Sequence, residues 1–125
     1  MENKFIEIFT GLKRDYGYAD INSAYKDPST GKLKLKYGWA AKELLESDYL
    51  DHLTGKKSIG IQPCNDEGLA KFGAIDIDSD EYDNFDLRKY LEIIDKKNIP
   101  VVPVKSKSGG LHIYVFFKEP VKASF

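Results

Sequence analysis

Between residues 72 and 78 the chain reads Phe-Gly-Ala-Ile-Asp-Ile-Asp, an apolar run closed by two carboxylates one residue apart. Phe72, Ala74, Ile75 and Ile77 suit a buried strand. Alternate side chains of a strand share a face, so Asp76 and Asp78 point the same way near its end. Like charges so placed repel unless a cation lies between them. Hard cations such as Mg²⁺ or Mn²⁺ prefer carboxylate and phosphate oxygens. The pair therefore reads as a site for a divalent metal and a polyphosphate. The plainer alternative is an acidic turn, because Asp80, Glu81, Asp83 and Asp86 follow in a run that solvent accommodates.

A second segment, Ser106-Lys107-Ser108-Gly109-Gly110-Leu111-His112, lies a helix further on. Glycine has no side chain to block an anion from backbone N–H groups, so Gly109 and Gly110 permit a close approach. Ser106 and Ser108 add hydroxyl donors and Lys107 adds a positive charge, a set able to hold a triphosphate. His112 starts an apolar strand over residues 111–117, and alternation groups it with Tyr114 and Phe116 opposite Leu111, Ile113 and Val115. Its imidazole could donate to a phosphate oxygen. The alternative is an ordinary hairpin loop whose histidine bonds a backbone carbonyl.

The chain has 125 residues, 42% hydrophobic and 13% aromatic, which suits a single globular domain over 1–125. Its net charge of −1 hides an asymmetry. Acidic residues crowd the centre, from Asp66 to Asp95, and Lys96, Lys97, Lys105, Lys107, Lys118 and Lys122 dominate the C-terminal stretch. This suits an acidic metal pocket beside a phosphate-contacting strip better than a generic basic coat for nucleic acid, although a solvated lysine face accounts for it equally well. The lone Cys64 excludes an internal disulfide and a cysteine-based zinc cluster. The opening Met-Glu-Asn-Lys is not an apolar leader, and no apolar run approaches the ~20 residues that cross a bilayer, so an intracellular, cytoplasmic protein away from membranes is expected.

Phe5, Ile6, Phe9 and Leu12 at helical spacing predict an amphipathic helix over residues 2–14. Residues 16–37 read as loop, with turn formers at 27–31 and Lys32, Lys34 and Lys36 on a short exposed strand or arm. A second helix is predicted over 39–53, with Ala40, Leu44, Leu45 and Leu53 inward. Residues 58–63 and 71–78 read as neighbouring strands across a turn at 64–68. A crossover helix over 83–98 then leads to a strand at 99–105, which pairs with 111–117 through the loop at 106–110. The fold class is α/β in the α+β sense, a mixed, largely antiparallel sheet with flanking helices. No internal repeat or linker is evident.

The order of these motifs resembles the archaeo-eukaryotic primase superfamily, the primase-polymerases. The resemblance rests on Ile75-Asp76-Ile77-Asp78 with Tyr82-Asp83 behind it, then Ser106 to His112. The upstream Trp39, Leu53-Thr54-Gly55 and Ser58-Ile59-Gly60-Ile61-Gln62-Pro63 look like the start of phage and plasmid members, so the likeness spans roughly residues 36 to 118. It implies an RRM-like catalytic core with the aspartate strand beside the His112 strand. It implies Asp76 and Asp78 as catalytic ligands of Mg²⁺ or Mn²⁺, and Ser106 and His112 as nucleotide contacts, with Lys107, Ser108, Gly109 and Gly110 in the same loop. The implied reaction is template-directed primer synthesis in DNA replication. Its partners would be nucleoside triphosphates, a single-stranded DNA template and a helicase domain or protein.

The family's third motif, an apolar residue followed by Asp or Glu on a later strand, is missing. Glu119 follows the second motif too closely to supply it. Either the chain is the N-terminal part of a longer primase, for which its ending argues, or it is a short relative that kept nucleotide binding without catalysis. The competing functional reading is a non-catalytic module for nucleotide or single-stranded nucleic acid. A metal-dependent nuclease or phosphatase explains Asp-x-Asp but not the Gly-Gly-Leu-His loop. Trp39 and Tyr37 with the lysines around them could contact template by stacking and charge, but core packing of Trp39 is the preferred expectation.

Overall fold

The computed structural model describes residues 2–79, 84–106 and 109–123. Asp27 organises the turn at residues 27–31: its Oδ1 accepts from the Ser29 and Thr30 N–H groups at 2.8 and 3.2 Å. Gly31 donates to the Asp27 carbonyl at 2.8 Å and takes φ +68°, which glycine adopts readily. The turn joins β1 (Tyr16–Lys26) to β2 (Leu33–Ala40) in an antiparallel hairpin. Two expectations are corrected here. Residues 16–37 are mostly strand, and Trp39 lies in β2 instead of opening a helix. Local bonds explain why β1 reads as loop. Asp20 Oδ1 accepts from Asn22 N–H at 3.0 Å and the Asp20 carbonyl from Ser23 Oγ at 2.6 Å, where the register slips between Asp20 and Tyr25.

The chain forms two compact units, Met1–Lys71 with Val121–Phe125, and Phe72–Pro120. In the first, β3 (Ser58–Gly60) pairs antiparallel with β1, giving the order β2-β1-β3. Helices α1 (Glu2–Ile8) and α2 (Glu46–Leu53) belong to the same unit. Its core is Tyr16, Leu44 and Tyr49, with Phe5, Ile6, Ala40, Ile59 and Ile61 packed against it. Of the expected inner positions, Leu45 and Leu53 are exposed. Helix α1 stops well short of residue 14 because the chain must pass close to Gln62. Leu12 N–H donates to the Gln62 carbonyl at 2.9 Å, and a Cβ on Gly11 would collide with that same oxygen.

The second unit carries most of β4 (Leu69–Ile77) and of β6 (Leu111–Lys122), with α3 (Leu87–Lys96) and β5 (Val102–Lys105), in the order β4-β6-β5. Strands β5 and β6 are antiparallel, Val104 opposite His112. The approaches of Phe72 to Phe116, Gly73 to Val115 and Asp76 to His112 run in opposite chain directions, so β4 is antiparallel to β6 as well. Leu87, Tyr90, Leu91 and Ile94 recur at helical spacing along α3, and Asp86 caps it by accepting from Lys89 N–H at 3.2 Å. The segments expected as neighbouring strands at 58–63 and 71–78 sit in different sheets, since β3 pairs with β1 and β4 with β6. The architecture is α+β with two small antiparallel sheets. No helix among the described residues is long and apolar enough to cross a membrane.

Candidate functional site

Strand β4 delivers Asp76 to the second unit's sheet, and β6 delivers His112 beside it. His112 Nε2 lies 3.2 Å from Asp76 Oδ1, with both side chains open to solvent. The Nε2 of the histidine therefore faces a carboxylate across the sheet. Asp78 follows directly on β4 and is half-buried.

Two glycines make this closeness possible. A Cβ on Gly110 would run into the Ile77 carbonyl, and the Asp78 Cα would be only 3.3 Å away. Gly109 takes φ +92°, a left-handed conformation that other residues adopt only with strain. The loop is closed by Ser106 N–H donating to the Gly110 carbonyl at 3.0 Å and Gly109 N–H to the Ser106 carbonyl at 3.2 Å, with Ser106 itself buried. Behind His112 the aromatic rings continue along β6. The Tyr114 ring stands edge-on to the imidazole at 6.4 Å, Phe116 stacks on Tyr114 at 6.1 Å, and Phe72 of β4 meets Phe116 at 6.3 Å.

The structure thus brings Asp76, Asp78, Gly110 and His112 to the end of one sheet, with Ser106 and Gly109 in the adjoining loop. Lys107 and Ser108 lie outside the described residues, as do Asp80, Glu81, Tyr82 and Asp83. Glu119 is exposed on β6, and alternation turns it away from the His112 face. Among the described residues no three His, Cys, Asp or Glu side chains converge to cage an ion. Asp76 and the half-buried Asp78, whose side chains alternate onto one face of β4, are the carboxylates here that could contribute to a hard cation completed by substrate phosphate and water. Asp76 Oδ1 faces the imidazole, which leaves Oδ2 for such an ion.

Sequence reasoning missed a buried polar group in the first unit. Lys57 Nζ donates to the Asp48 carboxylate and to Tyr16 OH, the latter at 2.7 Å. Burial would push the Asp48 carboxyl up, but the hydrogen bonds from Lys57 and from Leu45 N–H outweigh it and hold the group below its ordinary value. Trp39 is the further correction. It is 63% exposed and Tyr37 is 72% exposed, so the expected core packing of Trp39 does not occur.

A family model described as "TOTE conflict system, Archaeo-Eukaryotic Primase domain" matches residues 13–125. No curated protein matches the chain.

Proposed function

The chain belongs to the archaeo-eukaryotic primase domain family of the TOTE conflict system, and from this premise we propose that residues 1–125 serve one template-directed nucleotidyltransferase domain whose metal and nucleotide site is built on Asp76, Asp78 and His112. Primase domains of this kind use divalent metals and act on nucleotides and nucleic acid. In our reading the metal is Mg²⁺ or Mn²⁺, held by the carboxylates of Asp76 and Asp78. The chemistry it supplies when bound is a lowered pKa for the attacking 3′-hydroxyl and neutralised charge on the α-phosphate and departing pyrophosphate.

The chain's own groups bind and orient. In our reading nucleotide binding turns the His112 Nε2–H from Asp76 Oδ1 to a triphosphate oxygen, and Ser106, Lys107, Ser108 and Gly110 add hydroxyl, ammonium and N–H donors to the same phosphates, with Gly109 setting the left-handed turn of the loop. Holding the triphosphate in line with the attacking hydroxyl removes the entropic part of the barrier. The observation that supports this most strongly is the 3.2 Å approach of His112 to Asp76, which unites two motifs separated in sequence by a whole helix.

Calorimetry with a nucleoside triphosphate, with and without Mn²⁺, tests the proposal. Metal-dependent binding is expected, and it should be lost in Asp76→Ala/Asp78→Ala and strongly weakened in His112→Ala. Binding indifferent to metal and to these substitutions would overturn it. A second reading, a nucleotide-binding module without catalysis, draws on the lack of a third converging carboxylate among the described residues. Primer extension on a single-stranded template separates the two, since only the first yields product.

A further inference from the structure

The first unit's sheet has two unlike faces. Tyr16, Ala40, Ile59 and Ile61 turn inward onto the core. On the opposite face, alternation sets Tyr37 and Trp39 in β2 beside their register partners in β1, Ala19 and Gly17, while Gly60 of β3 lies opposite Gly17. The Trp39 ring passes 4.0 Å from where a Gly17 Cβ would stand. Small residues thus floor a groove of about 500 Å³, with Tyr37 and Trp39 among its lining and Ser58 and Gln62 as polar members. That volume is within the range of small-molecule sites, about 300–1,000 Å³.

We propose that this groove seats an unpaired base of single-stranded nucleic acid, stacked on Trp39 and Tyr37 above the Gly17 and Gly60 floor. Exposed aromatic rings on a sheet face are a sequence-tolerant platform for bases, because every base presents a π-face. Ser58 and Gln62 supply hydrogen-bonding groups for a base edge. Charge selects nucleic acid over an apolar partner. The hairpin carries Lys26, Lys32, Lys34 and Lys36 against Asp20 and Asp27; Lys34 and Lys36 alternate onto the other face, with Lys34 bound to Asp27, and Lys26 is the lysine that serves the groove face. Lys26 pairs with Leu33, which places it on the Tyr37 and Trp39 face, ~20 Å along β2 from Trp39 at the usual strand rise. A strand lying along that face would bring a phosphate to it. The proposal stands on the first unit alone, and rests on the proposed function only in naming the strand a template.

Trp39 is the only tryptophan in the chain, so its emission reports directly on stacking. The full chain is titrated with a short oligothymidylate without metal or nucleoside triphosphate, so failure of the nucleotide site cannot affect the result. We expect saturable quenching of Trp39 fluorescence. Anisotropy of a labelled oligonucleotide should show Trp39→Ala binding about tenfold to a hundredfold more weakly, and Trp39→Phe retaining most of the affinity. Circular dichroism checks that the variants are folded, as the exposure of Trp39 leads us to expect. Three outcomes would overturn the proposal. One is binding with unchanged emission and no loss in Trp39→Ala. A second is no binding by the folded chain. The third is self-association, detected by sedimentation and abolished by Trp39→Ala, which would make the face a contact between copies.

Discussion

Lys57 holds the Asp48 carboxylate and the Tyr16 hydroxyl at once, and this cluster sets the pH response of the first unit. Asp48 is held below its ordinary value, so its contribution is complete above about 3.8 and is lost as pH falls through the lower folded value. For Lys57, burial pushes the ammonium down, but its hydrogen bonds to Asp48 and Tyr16 prevail and raise it. Its contribution is therefore complete below about 10.5 and is lost as pH rises through the raised value. Stability should be flat near neutrality and fall at both extremes. Lys57→Met strands a buried carboxylate and should cost about 2–3 kcal/mol, the low side for a buried pair because the ammonium is partly in solvent. It should also flatten the acid limb, since only the Leu45 N–H and the more distant Tyr16 hydroxyl then hold the carboxylate charged: the variant should lose less stability than the wild type as pH falls below about 3.8. Thermal melts parallel to the wild type would show that the pair does not stabilise. At the other site, Gly110→Ala forces a Cβ against the Ile77 carbonyl. We expect a loss of about 1–3 kcal/mol from overpacking and nucleotide binding as weak as in His112→Ala. Calorimetry checks it, and wild-type affinity in Gly110→Ala would show that the close packing does not position His112.

At the scale of elements, what could be read from sequence was whatever kept one period without interruption. The apolar runs of β4 and β6 and the helical spacing of Leu87, Tyr90, Leu91 and Ile94 have no rival interpretation, and they carry Asp76 and His112 with them. The hairpin was hidden for two reasons. In β1 the polar stretch from Asp20 to Ser23 bonds to itself, as a loop does. Ala40 at the end of β2 and Leu44 beyond it are four apart and mimic a helix face; both do reach the core, one from a strand and one from the loop before α2. The cluster around Lys57 was out of reach because Tyr16 lies 41 residues away and only the unrecognised β1 brings it near. Helix α3 offers a direct test of local rules. Its cap depends on one carboxylate, Asp86, accepting from Lys89 N–H at 3.2 Å. Asp86→Ala should cost about 1 kcal/mol and speed amide exchange at Lys89, whereas Asp86→Ser should restore most of the protection. Equal exchange in all three proteins would mean that the cap contributes nothing.

For the whole molecule, charge separates two ways of holding nucleic acid. With Lys26 as the lysine on the aromatic face, the affinity of that face for nucleic acid should come from stacking more than from counterion release. Stacking requires an unpaired face, which a duplex conceals between neighbouring base pairs. A single strand should therefore outcompete a duplex of equal length by about tenfold or more, the worth of one stacked base. Salt dependence makes the distinction sharper. Each phosphate contact on a single strand adds about −0.7 to the slope of log affinity against log salt. With Lys26 the hairpin lysine placed on the aromatic face, the slope should be shallow. Lys26→Ala should flatten it by about 0.7, and Trp39→Ala should lower affinity at every salt concentration with the slope unchanged. Anisotropy titrations across a salt series measure both quantities together. A steep slope, or a duplex that competes as well as the single strand, would mean that the chain grips the backbone electrostatically and that the exposed aromatic face has another purpose.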